Sequence, residues 1–199
     1  MAAQEEIRAR RIVLEDSGGN ARTIMEMADN EPKLSMVDAN GVTRATMRLT
    51  PDGPRLELGD EKGFGLAVIN VLIGGGLGMS FFDNKAKLRA ELAVSSEGSR
   101  MDLFDGMSKG LASLSVSSDG TGLSLYDTEG KPRAGFALIK DGPFVSLYDE
   151  GDVERATLVL GREGPSVNLA DDTGTVRATL NVTGKEPSME LYRPVSGGY

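Results

Sequence analysis

Eight aspartates recur along this chain at almost constant spacing, and that period constrains the fold more than any other feature. They are Asp16, Asp38, Asp60, Asp83, Asp105, Asp127, Asp149 and Asp171, separated by 22, 22, 23, 22, 22, 22 and 22 residues. Six residues after each stands Arg22, Arg44, Leu66, Arg89, Leu111, Arg133, Arg155 or Arg177. Glycine often follows the aspartate by three, at Gly19, Gly41, Gly63, Gly130 and Gly174. The unit reads L-x-L-x-D-x-x-G-x-x-R-A-x-L-x-L, then a polar link such as Asp141-Gly142-Pro143. A period in this range marks a repeat architecture, in which one copy cannot bury its apolar face alone.

Apolar residues within each unit fall at alternate positions. Leu123 and Leu125 precede Asp127; Ala134, Phe136 and Leu138 follow Arg133. Alternation of period two denotes strands with one apolar face, whereas a helix requires spacings of three and four. Aspartate can bond its own backbone two residues on, and glycine supplies positive φ, so D-x-x-G between two such runs predicts a hairpin loop. Pairing the aspartate with the residue five later sets Leu125 opposite Ala134 and Leu123 opposite Phe136, so apolar meets apolar. The sequence thus predicts an all-β chain of tandem two-strand repeats. Residues 1–11 form a lead-in, 12–192 one continuous domain of roughly eight and a half copies, and 193–199 a tail.

About seventeen strands at ~4.8 Å spacing and ~20 Å length would present an apolar face on the order of 1,600 Å². Soluble monomers rarely expose more than a few hundred. Two closures meet that demand. An antiparallel hairpin meander can pack on copies of itself as a prism, or each unit can be one coil of a β-solenoid that covers its own face. The meander is preferred, because a solenoid would stack the aspartates at ~4.8 Å and like charges that close repel.

Composition prunes the chemistry. The chain has no His, Cys or Trp. That removes the usual zinc ligands, a cysteine nucleophile and a Ser-His-Asp triad. The net charge of −8 argues against nucleic acid as a partner. Residues 63–82 carry no charge, yet they are rich in glycine and keep the repeat register, so a membrane span is the weaker reading. The start, MAAQEEIRARRIV, lacks an apolar signal core. A cytoplasmic location is the default expectation, with an extracellular one only through release as part of a phage-like or secreted assembly.

Three groups of residues merit a functional reading. The aspartate column offers one regular carboxylate per turn, which suits turn capping better than calcium coordination. The residue before the aspartate becomes aromatic in later copies, giving a stripe of Phe82, Phe104, Tyr126, Tyr148 and Tyr192. By simple pairing, Tyr126 faces Arg133 and Tyr148 faces Arg155, as cation–π pairs, and the stripe could contact a glycan or a protein surface. The third group lies where the repeat breaks. Leu66 and Leu111 replace arginine, and with Phe64, Val68, Val71 and Leu77 they form a candidate partner patch. Acidic pairs such as Asp149/Glu150 and Asp171/Asp172 could serve a glycosidase, but all fall within the repeat pattern or its turns.

The motif L-x-L-x-D-x-x-G-x-x-R-A-x-L resembles arrays in uncharacterised bacterial and archaeal proteins, and its hairpin density is similar to the shafts of trimeric phage fibres. The resemblance covers residues 12–192 and implies a self-associating rod, with a trimer favoured; it implies no activity. The expectation is therefore a non-enzymatic structural or assembly protein, without catalytic residues, metal or cofactor. A carbohydrate- or surface-binding module is the alternative, and a polysaccharide-active enzyme stands behind both.

Overall fold

The computed structural model describes residues 6–107 and 109–193. They form seventeen antiparallel strands and, among the described residues, no helix. The chain divides at Ser96/Glu97 into two compact units. The first holds β1 (Arg11–Glu15), β2 (Ala21–Ala28), β3 (Glu31–Val37), β4 (Thr43–Thr50), β5 (Gly53–Gly59), β6 (Gly65–Val71), β7 (Leu77–Phe82) and β8 (Leu88–Ser95). The second holds β9 (Gly98–Phe104), β10 (Gly110–Ser117), β11 (Gly120–Tyr126), β12 (Pro132–Ile139), β13 (Gly142–Tyr148), β14 (Glu154–Gly161), β15 (Gly164–Ala170), β16 (Val176–Thr183) and β17 (Glu186–Leu191). Within each unit every strand pairs with its neighbours in sequence, so the repeat is a hairpin meander and not a solenoid. The strands run from Arg11 to Leu191, and of the terminal segments, residues 1–5 and 194–199 lie outside the described residues.

The predicted register holds through the strand bodies: Leu125 opposes Ala134 and Leu123 opposes Phe136. Near each aspartate turn it slips by one. Tyr126 opposes Pro132, so Arg133 has no partner in the ladder and is a β-bulge. Arg22, Arg44, Leu66, Arg89, Leu111, Arg155 and Arg177 are skipped in the same way. The arginine column is therefore a bulge column. A bulge twists its strand and re-aims the side chain it carries.

Two kinds of turn alternate. In the aspartate turn the Asp127 amide donates to the Lys131 carbonyl (2.9 Å) and the Gly130 amide to the Asp127 carbonyl (2.9 Å). Gly130 has φ +85°, which glycine adopts freely. The opposite turn leaves two residues between paired positions, as with Lys140 and Asp141 between Ile139 and Gly142. Gly142 has φ +126°, and a Cβ there would sit 2.0 Å from the Leu160 carbonyl oxygen of the next hairpin. Gly98, Gly120 and Gly164 are crowded in the same way, so this second glycine column is required by a close approach of backbones.

The one-residue insertion is absorbed at residues 72–76. Leu72 donates its amide to the Gly76 carbonyl (3.2 Å), and the Gly75 amide donates to the Leu72 carbonyl (3.0 Å). That is the aspartate-turn pattern with leucine in the aspartate's place, and three successive glycines at positive φ make it possible. Residues 63–82 are thus mostly two strands and a turn, and among the described residues no helix is long and apolar enough to cross a membrane.

The two faces of each unit differ in chemistry and in exposure. One carries the alternating Leu, Met, Phe and Val, and no layer covers it: Met47 is 57% exposed, Phe136 55% and Leu158 50%. The other carries small polar residues between longer side chains. Ser35, Thr46 and Ser146 are buried there, and Val68 is the one buried large hydrophobe among the described residues. Within either unit, the apolar face expected to form a core lies open.

Candidate functional site

The regular chemistry of the chain lies at the aspartate turns. Asp127 Oδ1 accepts the amides of Glu129 (2.8 Å) and Lys131 (3.0 Å), and its Oδ2 accepts the Arg133 guanidinium. Asp149 repeats the arrangement with Gly151, Val153 and Arg155, the guanidinium bond being 2.9 Å. Asp16, Asp38, Asp83 and Asp171 likewise bind the arginine six residues on. Each carboxylate thus caps its turn with one oxygen and holds the bulge arginine with the other. Hydrogen bonds of this kind favour the ionised form. The Asn20 amide, followed by Arg22, lowers the Asp16 pKa from 3.8 to about 2. Asp171 is lowered too, foremost by the Thr173 hydroxyl and then by Arg177.

Several arginines reach beyond their own hairpin. Arg133 also donates to the Asp149 carbonyl, Arg155 to the Ala170 carbonyl (3.0 Å) and Arg44 to the Gly59 carbonyl (3.2 Å). Lys109 and Lys131 make similar ties, to the carbonyls of Thr128 (2.9 Å) and Glu150 (3.1 Å). The turns along this edge are therefore laced to one another as well as capped. The sequence carried the signal, a fixed Asp-to-Arg spacing of six, but simple strand pairing assigned arginine to the aromatic residue instead. The bulge changes that: the ladder sets Pro132 opposite Tyr126 and Glu154 opposite Tyr148, and the guanidinium turns to the carboxylate.

The aromatic stripe lies on the polar face at the same edge. Phe82 ends β7; Phe104, Tyr126 and Tyr148 end β9, β11 and β13, and all four are half-buried. Ala170 interrupts the series before Tyr192, which is 46% exposed and bonds the Arg177 carbonyl through its amide. In the second unit, the stripe's unbroken run is thus Phe104, Tyr126 and Tyr148.

The patch residues do not share one surface. Leu66 is a bulge residue, and Val68 lies two residues on, buried on the polar face. Val71 and Leu77 oppose each other on the apolar face beside the 72–76 turn. Phe64 is in the preceding turn, where its carbonyl accepts the Asp60 amide and its own amide bonds the Asp60 carboxylate. Leu111 belongs to the second unit. The exposed members are Phe64 and Leu77, and Ile73 at the tip of the turn is more exposed than either.

No group of three or more acidic side chains among the described residues is placed to hold a metal ion. No family model matches the chain, and no curated protein matches it. Among solved structures, it is similar to a point mutant of S. aureus TarM in complex with fondaparinux, alpha-GlcNAc-glycerol and UDP. The match has 15% identity and a TM-score of 0.36, covering 48% of this chain and 20% of that one; likeness at this level carries no argument about fold or activity.

Proposed function

We propose that the chain is a non-enzymatic structural protein that assembles with copies of itself through its apolar sheet faces. The observation that carries this reading is the open apolar face, whose residues include Met25, Met36, Met47 and Leu58 in the first unit and Leu114, Phe136, Leu147 and Leu158 in the second, each at least 40% exposed. Eight strands of ~20 Å at ~4.8 Å spacing give the first unit an apolar face of roughly 770 Å². That is close to the ~800 Å² per partner buried in a stable protein interface. A second copy suits the face because every strand pair repeats the same small-large-large pattern, so a symmetric mate presents matching ridges. A trimeric prism extends the same packing around a shared axis.

Sedimentation velocity of the full chain tests this. The expected particle has a multiple of the 21.1 kDa chain mass. Met47→Asp combined with Leu158→Asp, one in each unit, is expected to shift it towards the single-chain mass. A compact monomer at micromolar concentration would remove the proposal.

The aromatic run Phe104, Tyr126 and Tyr148 supports a second reading, a glycan- or surface-binding module. It lies on the opposite face from the apolar rows and would stay available in an assembly. Glycan-array binding lost in Tyr126→Ala and Tyr148→Ala is its test.

A further inference from the structure

On the polar face of the first unit three cations stand in direct cross-strand opposition. Lys33 of β3 faces Arg48 of β4, and Arg48 faces Arg55 of β5. Like charges directly opposite one another destabilise a sheet. The arrangement is particular to this place, because the same row in the second unit reads Arg100, Ser115, Gly122, Ala137, Phe144 and Val159, with one cation. Arg100 has its own partner in Asp102, at 2.6 Å.

The paired counter-charge does not balance the row. Glu57 takes both arginines, Arg55 at 2.5 Å and Arg48 at 3.4 Å. Glu26, opposite Lys33, is bound to Arg11 at 3.3 Å. Lys33 has no carboxylate within 4 Å among the described residues, and the Arg48 Nε is shielded from solvent with no hydrogen-bond partner. Asp29 and Glu31 stand near the row, lining a depression of about 210 Å³ with Lys33, Thr46, Arg48 and Glu57. A second, of about 310 Å³, opens on the other side of Lys33 and Thr46 towards Arg44. Its wall is Gly59, Gly63 and Gly65, and Glu57 is its one carboxylate. Gly59 occupies the position that holds Phe82, Tyr126 or Tyr148 in later copies, so a missing aromatic side chain opens this space.

We propose that Lys33 and Arg48, with the glycine-walled depression that Lys33 lines, bind a phosphate or sulfate group. A lysine without a paired carboxylate, two arginines that share a single one, a hydroxyl from Thr46 in the floor and a space without side chains suit a tetrahedral oxyanion. The site lies on the face opposite the apolar one, so it stands or falls independently of self-assembly.

The test is calorimetric titration of the full chain with inorganic pyrophosphate and, separately, with a sulfated disaccharide, each against sodium chloride of equal ionic strength. Saturable binding of either probe is expected, and the stronger of the two identifies the source of the group. Lys33→Gln and Arg48→Gln are expected to weaken it about tenfold each, as loss of one charge-assisted contact implies. Arg100→Gln is expected to leave it unchanged. Lys33→Gln is also expected to keep or raise the melting temperature at low salt, since that lysine neutralises no carboxylate. No saturable binding of either probe, or an equal loss in Arg100→Gln, would overturn the proposal.

Discussion

Arg133 is the extra residue of a β-bulge, and its guanidinium closes on the carboxylate of Asp127, six residues earlier in the same hairpin. Asp127 has two tasks there, because its other oxygen caps the turn amides. Removing the two partners is therefore expected to have unequal effects. Asp127→Ala loses both functions and should lower the melting temperature by several degrees. Asp127→Asn keeps an acceptor for the amides and should cost less. Arg133→Gln should cost least, since partly exposed ion pairs contribute little. Thermal unfolding followed by circular dichroism gives the order; an Arg133→Gln effect larger than that of Asp127→Ala would contradict it.

The two glycine columns are expected to differ under the same substitution. Gly130→Ala meets no atom within 4 Å and needs only a left-handed backbone, which Ala86 already adopts at the equivalent turn with φ +58°. Its cost is about 1–2 kcal/mol. Gly142→Ala would place a Cβ against the Leu160 carbonyl oxygen and forces the backbone apart. A loss of roughly 3 kcal/mol or more is expected, by strain and clash together. Denaturant titration of the two variants checks the contrast.

Acid should weaken the fold late. The carboxyls of Asp16, Asp38, Asp83, Asp127, Asp149 and Asp171 are all held below their ordinary value by turn amides, hydroxyls and arginines. A group with a depressed folded pKa stabilises fully above its unfolded value and loses that contribution as pH falls through the folded one. For Asp16 the window runs from 3.8 down to about 2. Stability is expected to be insensitive to these groups at neutral pH and to decline below about pH 4. An acid transition centred above about pH 5 would show that other groups govern it.

An assembly held by the apolar faces should melt at a temperature that rises with protein concentration, because association stabilises the folded chain by mass action. Differential scanning calorimetry over a dilution series measures this. A melting temperature independent of concentration would count against self-association.

Much of the fold was legible in the sequence. The period located every aspartate turn, and alternation fixed which face each of Leu123, Leu125, Ala134 and Phe136 would occupy. The one-residue slip at Tyr126 was not legible, because a bulge leaves the alternation of the strand bodies intact while moving one residue out of the ladder. That slip separates the expected Tyr126–Arg133 opposition from the observed Asp127–Arg133 pair. The role of Gly142 was hidden for a different reason: its constraint comes from Leu160 in the neighbouring hairpin, and a turn motif read locally holds no trace of it. The grouping of Val68 with Val71 and Leu77 was read along the chain, whereas strand parity sets Val68 on the polar face and Val71 and Leu77 on the apolar one.

The lacing of each hairpin to the next has a genetic corollary. Every strand-to-strand contact within a unit joins strands adjacent in sequence, and the lysine ties between turns reach only the following copy, so an in-frame duplication of one copy inserts a hairpin that finds its neighbours already shaped to receive it. Each duplication would widen its unit by about 10 Å, two strand spacings, without disturbing a distant contact. Chain length in such a molecule behaves as a dial that unequal recombination can turn, and a bulge arginine such as Arg44, Arg133 or Arg155, which grips the turn of its own copy and the backbone of the following one, is a catch that holds an added notch.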